Sequence, residues 1–88
     1  RAALPCQTAR MASVLLYLTV QDKPQAERIA RALLDERLIA CANILPGMTS
    51  LYRWQGQVEQ AEECVLILKT TAPLADAATT RAAALHPY

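Results

Sequence analysis

His86 is the single histidine of an 88-residue chain, and beside it stand three cysteines, Cys6, Cys41 and Cys64. A neutral imidazole suits copper, zinc or another borderline divalent ion, and a tight site asks for at least two further protein ligands. One imidazole per chain could build such a site if association brings several chains together. The structural alternative is a histidine at a helix C-terminus, where its cation complements the helix dipole. Cys41 lies among apolar residues, which suits either a thiolate ligand or a small buried hydrophobe. Cys64 opens an apolar run and reads as core, whereas Cys6 sits in a leader and reads as an exposed thiol.

A second set of residues could shape a ligand cleft. Tyr52 and Trp54 are two apart, so on a strand they share a face, as anchors against a neighbouring subunit or as a cleft wall. Asn43, Glu62 and Lys69 are polar residues within or beside strand-like runs, and burial would require partners for them. A Glu62–Lys69 pair across a hairpin would satisfy that need; so would convergence with His86 and Tyr88 on an anion or metal pocket. Glu59 and Glu63 read as a solvated strand face, with weak divalent coordination as the alternative. Arg53 and Asn43 offer the residue types of acyl-phosphate hydrolysis, but no phosphate-cradling loop follows the first strand, and an enzyme is not expected.

The elements that must position these residues follow from patterning. Residues 14–20 are a continuous apolar run, predicted as a strand buried on both faces. Asp22, Pro24 and Gln25 spell a helix start, and Ala26, Ile29, Ala30 and Leu33 place a helix over about 24–37. Residues 40–71 read as one long hairpin. Its first arm is interrupted at Pro46-Gly47, which predicts a bulge on an edge strand, and it turns at Gln55-Gly56. Thr71 is a candidate cap for a second helix, with Pro73 in its first turn and Asp76 near its positive end. Leu74, Ala78, Arg81 and Leu85 recur along it with helical period. The order β-α-β-β-α is a ferredoxin-like α+β sandwich, βαββα(β), whose final strand is absent from this chain.

Composition narrows the function further. The chain is 53% hydrophobic with a net charge of +1, so no basic face exists to collect phosphates and no nucleic-acid partner is expected. A core this small supplies only about 3–5 kcal/mol of net stability, which makes subunit association an expected supplement. Three cysteines without a C-x-x-C pair do not form a secreted disulfide framework, and a cytoplasmic location is expected. The apolar run behind Arg10 lacks a small-residue cleavage site and is too short to span a bilayer, so no membrane association is expected. Residues 1–12 are taken as an N-terminal leader and 13–88 as the folded domain.

Several tracts resemble one family. They are Arg37-Leu-Ile-Ala-Cys-Ala-Asn43, Leu45-Pro-Gly47, Ser50-Leu-Tyr-Arg-Trp-Gln-Gly56, Glu62, Lys69-Thr-Thr71 and His86-Pro-Tyr88. Together they resemble the CutA family of divalent-cation tolerance proteins, over about Ser13 to Tyr88. The resemblance implies a ferredoxin-like subunit, similar to PII signalling proteins, that forms a tight homotrimer with sheets joined edge to edge. It further implies binding of a divalent metal, Cu²⁺ in particular, in metal tolerance without catalytic turnover. A PII-like scaffold that takes a small ligand or partner protein in inter-subunit clefts is the alternative. The metal candidates are His86 and Cys41; the cleft candidates are Asn43, Tyr52, Trp54, Glu62, Lys69 and Tyr88. In some members a first-strand cysteine and a second histidine before His-Pro-Tyr are named as copper ligands. Leu18 and Leu85 stand at those positions here, leaving His86 alone of that set.

Overall fold

The computed structural model describes residues 13–86. The 1–12 leader, Cys6 and Tyr88 lie outside the described residues. The elements are β1 (Ser13–Val20), α1 (Lys23–Asp35), β2 (Cys41–Trp54), β3 (Gln57–Thr71) and α2 (Ala72–Leu85). The sheet order is β1-β3-β2, with β3 antiparallel to both neighbours. The hairpin return therefore enters the sheet between β1 and β2, which makes this a split β-α-β unit. This is the predicted α+β order.

Both ends of α1 are built from local chemistry. The Asp22 carboxylate accepts the Gln25 backbone N–H at 3.0 Å. The Gln25 side chain reaches back to the Gln21 N–H at 2.9 Å, one residue earlier than in a standard capping box. At the other end, Arg37 N–H donates to Leu34 O and Leu38 N–H to Leu33 O. That is a Schellman closure, with Arg37 at φ 60° where glycine is usual. It stops the helix at Asp35, two residues short of the predicted end. The buried stripe is Ala26, Ile29, Ala30 and Leu33, as the 3.6-residue period requires.

α2 departs from the predicted pattern in three ways. Thr71 is the N-cap residue, but its side chain makes no capping hydrogen bond. Asp76 lies in the second turn, beyond the unsatisfied N–H groups. The buried positions are Ala78 and Ala82, with Leu85 packed beside the core. Leu74 and Arg81 are turned away, and Arg81 instead pairs with Glu36 at 2.9 Å. An alanine-rich helix carries little directional signal, so nothing in the sequence marks which stripe faces inward.

One hydrophobic core joins the helices to one face of the sheet. It contains Val20, Ile29, Leu33, Cys64, Leu66 and Leu68, closed by Ala78 and Ala82 of α2. On β3 these are even-numbered positions, so the odd-numbered ones face away from both helices. The expectation that β1 is buried on both faces is therefore corrected. Its exposure alternates, and Leu15 and Tyr17 are 61% and 66% exposed. An all-apolar strand hides this alternation, and among the described residues no element covers its second face.

The Pro46-Gly47 bulge is where predicted, with the ladder shifting register between Leu45 and Met48. Its consequence is a change of phase. Before it, Cys41, Asn43 and Leu45 oppose Lys69, Ile67 and Val65 on the open face; after it, Met48, Ser50, Tyr52 and Trp54 take that face. β1 ends opposite Cys64, so residues 48–63 continue as a two-stranded arm beyond the rest of the sheet. The arm closes through Gln55 (φ 50°) and Gly56 (φ 79°), both in the left-handed region that a primed turn requires. It makes the chain elongated, with extents of 50 × 23 × 22 Å.

Candidate functional site

Two surfaces stand out: the open sheet face with its arm, and a groove between α2 and the outer edge of β1. The open face carries Leu15, Tyr17 and Leu45 as exposed apolar side chains, with Tyr52 and Trp54 farther along the arm. Tyr52 and Trp54 do share a face, opposite Glu59 and Gln57. Trp54 is 59% exposed. On the other face of the arm, Leu51 and Val58 are exposed as well. An isolated two-stranded ribbon is marginal in water, and this one presents apolar side chains on both sides.

The polar cleft candidates are spread along that frame. Asn43 and Lys69 lie on the open face, Asn43 exposed and Lys69 half-buried. Glu62 and Lys69 both belong to β3, at positions of opposite parity, so they point to opposite faces. The expected Glu62–Lys69 pair across the hairpin is therefore corrected: they are neither cross-strand partners nor on one face. From the level of Gln57, opposite Trp54, to Lys69 is twelve residues of strand, about 40 Å. Within one chain Trp54 and Lys69 form no common cleft; a cleft using both has to be assembled from different copies.

Glu59 is exposed as expected, whereas Glu63 is half-buried and accepts a hydrogen bond from the Ser50 hydroxyl. The Ser50 hydroxyl also lies 3.2 Å from Met48 Sδ. This small cluster beside the bulge exists because the register shift brings Met48 and Ser50 onto the face of Glu63.

The groove has a cavity volume of about 410 Å³ and is lined by Leu15 to Leu18 of β1 and by Thr79, Ala82, Ala83 and His86. His86 is the C-cap residue of α2, and its backbone N–H donates to Ala82 O and Ala83 O. Its ring crosses to β1, with Nε2 2.8 Å from the Thr19 carbonyl oxygen. Reading residues 14–20 as fully buried concealed this groove; the i, i+3, i+4, i+7 spacing of Thr79, Ala82, Ala83 and His86 is the signal that could have revealed it.

The metal candidates lie apart. Thr19, which His86 touches, opposes Val65 on β3, whereas Cys41 opposes Lys69 from the opposite edge strand. Two strand spacings across and four residues along separate them by on the order of 16 Å. Among the described residues no three His, Cys, Asp or Glu side chains gather as a metal site needs. The described donors of a single chain do not fit a tight copper site. Cys41 and Cys64 are both buried, and neither is in a disulfide among the described residues. Burial pushes the Cys64 thiol above its ordinary value, and the nearby Asp22 carboxylate adds to the effect.

The family model described as "CutA1 divalent ion tolerance protein" matches residues 14–88. The chain belongs to the CutA1 family. A Thermus thermophilus relative named "Divalent-cation tolerance protein CutA" is 49% identical over 74 residues, covering 84% of this chain and 72% of its own length. The rice "Protein CutA 1, chloroplastic" is 38% identical over 87 residues, which is 99% of this chain but only 49% of that relative. The crystal structure of CutA1 from Ehrlichia chaffeensis superposes with a TM-score of 0.87 at 42% identity, covering 91% of this chain and 75% of that one. The β-α-β-β-α arrangement thus matches the fold of that CutA1 structure over three quarters of its chain.

Proposed function

We propose that this chain acts in divalent-cation tolerance as a homotrimer that binds or responds to a divalent ion, copper foremost, without catalytic turnover. Family membership and the printed names of its relatives support the tolerance role. The observation that carries assembly is the uncovered apolar sheet face: Leu15, Tyr17 and Leu45, continued along the arm by Tyr52 and Trp54. A patch of this kind marks an interaction surface, and three copies of one chain can cover it for each other. The separation of His86 from Cys41 means that a metal site using both is formed between copies. Two buried cysteines outside any disulfide among the described residues suit a reducing compartment, and we propose a cytoplasmic location.

Calorimetric titration with Cu²⁺ tests the metal half of this reading. Binding at micromolar strength or tighter, weakened in both His86→Ala and Cys41→Ala, is the expected result. Absence of binding by the native assembly contradicts it. The exposed Trp54 and Tyr52 favour a second reading, a PII-like trimer holding a small ligand or a partner protein in inter-subunit clefts. A thermal-shift screen separates the two: stabilisation by an organic anion, abolished in Trp54→Ala and indifferent to Cu²⁺, supports the second.

A further inference from the structure

We infer that His86 is the clasp of the groove between α2 and β1, and that clasping the groove and offering Nε2 to a metal ion are mutually exclusive states of one ring. The ring spans the two walls, with Nε2 2.8 Å from the Thr19 carbonyl oxygen. A carbonyl oxygen only accepts, so in this bond Nε2 carries the proton. A ring nitrogen ligates a metal through the lone pair that this proton occupies, so an ion at Nε2 and the Thr19 bond exclude each other.

The surroundings explain why the ring matters for position. The α2 stripe facing the groove is Thr79, Ala82, Ala83 and His86. Thr79 and the alanines are too short to fill a space of about 410 Å³, and the imidazole is the one long side chain on that stripe. Its reach depends on the end of the helix. His86 leaves helical dihedrals for φ −79°, ψ 127°, while its N–H still closes the last turn on Ala82 O and Ala83 O. The ring therefore projects from a fixed helix end onto a carbonyl of the edge strand. His86 is a positioning residue, and the misfit of the donors among the described residues with a tight metal site agrees with that role. Only the exclusion of Nε2 coordination rests on the metal reading above; the clasp itself does not.

One histidine per chain makes the test clean, because a ¹⁵N-labelled sample of the whole chain gives a single imidazole pattern. Without metal, Nε2 is expected to carry the proton. His86→Ala is expected to speed amide exchange at residues 85 and 86 on the order of fivefold, as loss of one net hydrogen bond does. In His86→Gln a side-chain N–H can still reach the Thr19 carbonyl, and exchange is expected to return to within about twofold of wild type. A ring protonated only at Nδ1, or His86→Ala exchanging at the wild-type rate, overturns the clasp. Zn²⁺ serves as the probe ion. A shifted Nε2 signal with faster exchange at residues 85 and 86 supports the exclusion, and the same shift with unchanged exchange overturns it. Zn²⁺ bound without moving the ring signals supports the clasp and puts the ion elsewhere. A protein that takes up no Zn²⁺ contradicts the metal reading, and the two variants still decide the clasp.

Discussion

The Thr70 hydroxyl donates a 2.8 Å hydrogen bond to the Leu38 carbonyl, tying the last buried position of β3 to the connection between α1 and β2. Thr70 is 1% exposed, so water has no access to its hydroxyl if the bond is lost. The bond fixes the chain three residues before β2 begins at Cys41, and so helps to set the hairpin register. Thr70→Val keeps the shape and removes the donor. It is expected to cost about 1 kcal/mol in urea unfolding, the net contribution of the one hydrogen bond that it removes. Unchanged stability would mean that the connection is held by packing of Leu38 and Ile39 instead.

Arg37 closes the Schellman turn after α1 in the left-handed region, at φ 60°. A side chain there costs about 1–2 kcal/mol, and glycine gives part of that back as backbone entropy in the unfolded chain. Arg37→Gly is expected to raise stability by about 0.5–1 kcal/mol. A lower melting temperature would show that the arginine makes compensating contacts.

Cys64 gives the fold a sensitivity to alkali. Its folded pKa is raised, so the native state holds the thiol proton to higher pH than the unfolded chain does. The corresponding stability is complete below the ordinary thiol value of about 8.5 and is lost as pH rises from there through the raised value. The stability difference between wild type and Cys64→Ala is therefore expected to shrink as pH rises above about 8.5. A difference that stays constant across that range contradicts the assignment.

Trp54 is the only tryptophan and reports on the arm directly. It is 59% exposed in the single chain, near the end of a ribbon that no other described element supports. Association through the arm should bury it, so its emission is expected to shift to the blue with rising protein concentration. Emission at a solvent-exposed wavelength at every concentration, in a sample that does associate, would remove the arm from the interface.

Most of the architecture could be read from the residues because local chemistry decides it. Asp22 and Gln25 start α1, the Ala26–Leu33 stripe orients it, and Gln55-Gly56 turns the hairpin. What stayed hidden needed three dimensions. The run from Val14 to Val20 is apolar at nearly every position, so its alternation appears only when helices cover one face. The bulge was legible at Pro46-Gly47, but not its effect of bringing Met48 and Ser50 onto the face of Glu63. Glu62 and Lys69 looked like partners by charge, and only their shared strand and opposite parity separate them. For the candidate site, His86 was marked by being the sole histidine, while its partner is a backbone carbonyl that no side-chain pattern encodes.

If other copies of this chain cover the open sheet face and the arm, the native particle has the mass of several chains. Light scattering on the native particle, with and without Cu²⁺, tests it most directly. A mass of three 9.6 kDa chains is expected in both conditions, falling toward one chain when Tyr17→Asp places a charge on the open face. A stable monomer in both conditions, with Tyr17 and Trp54 still exposed, would contradict it.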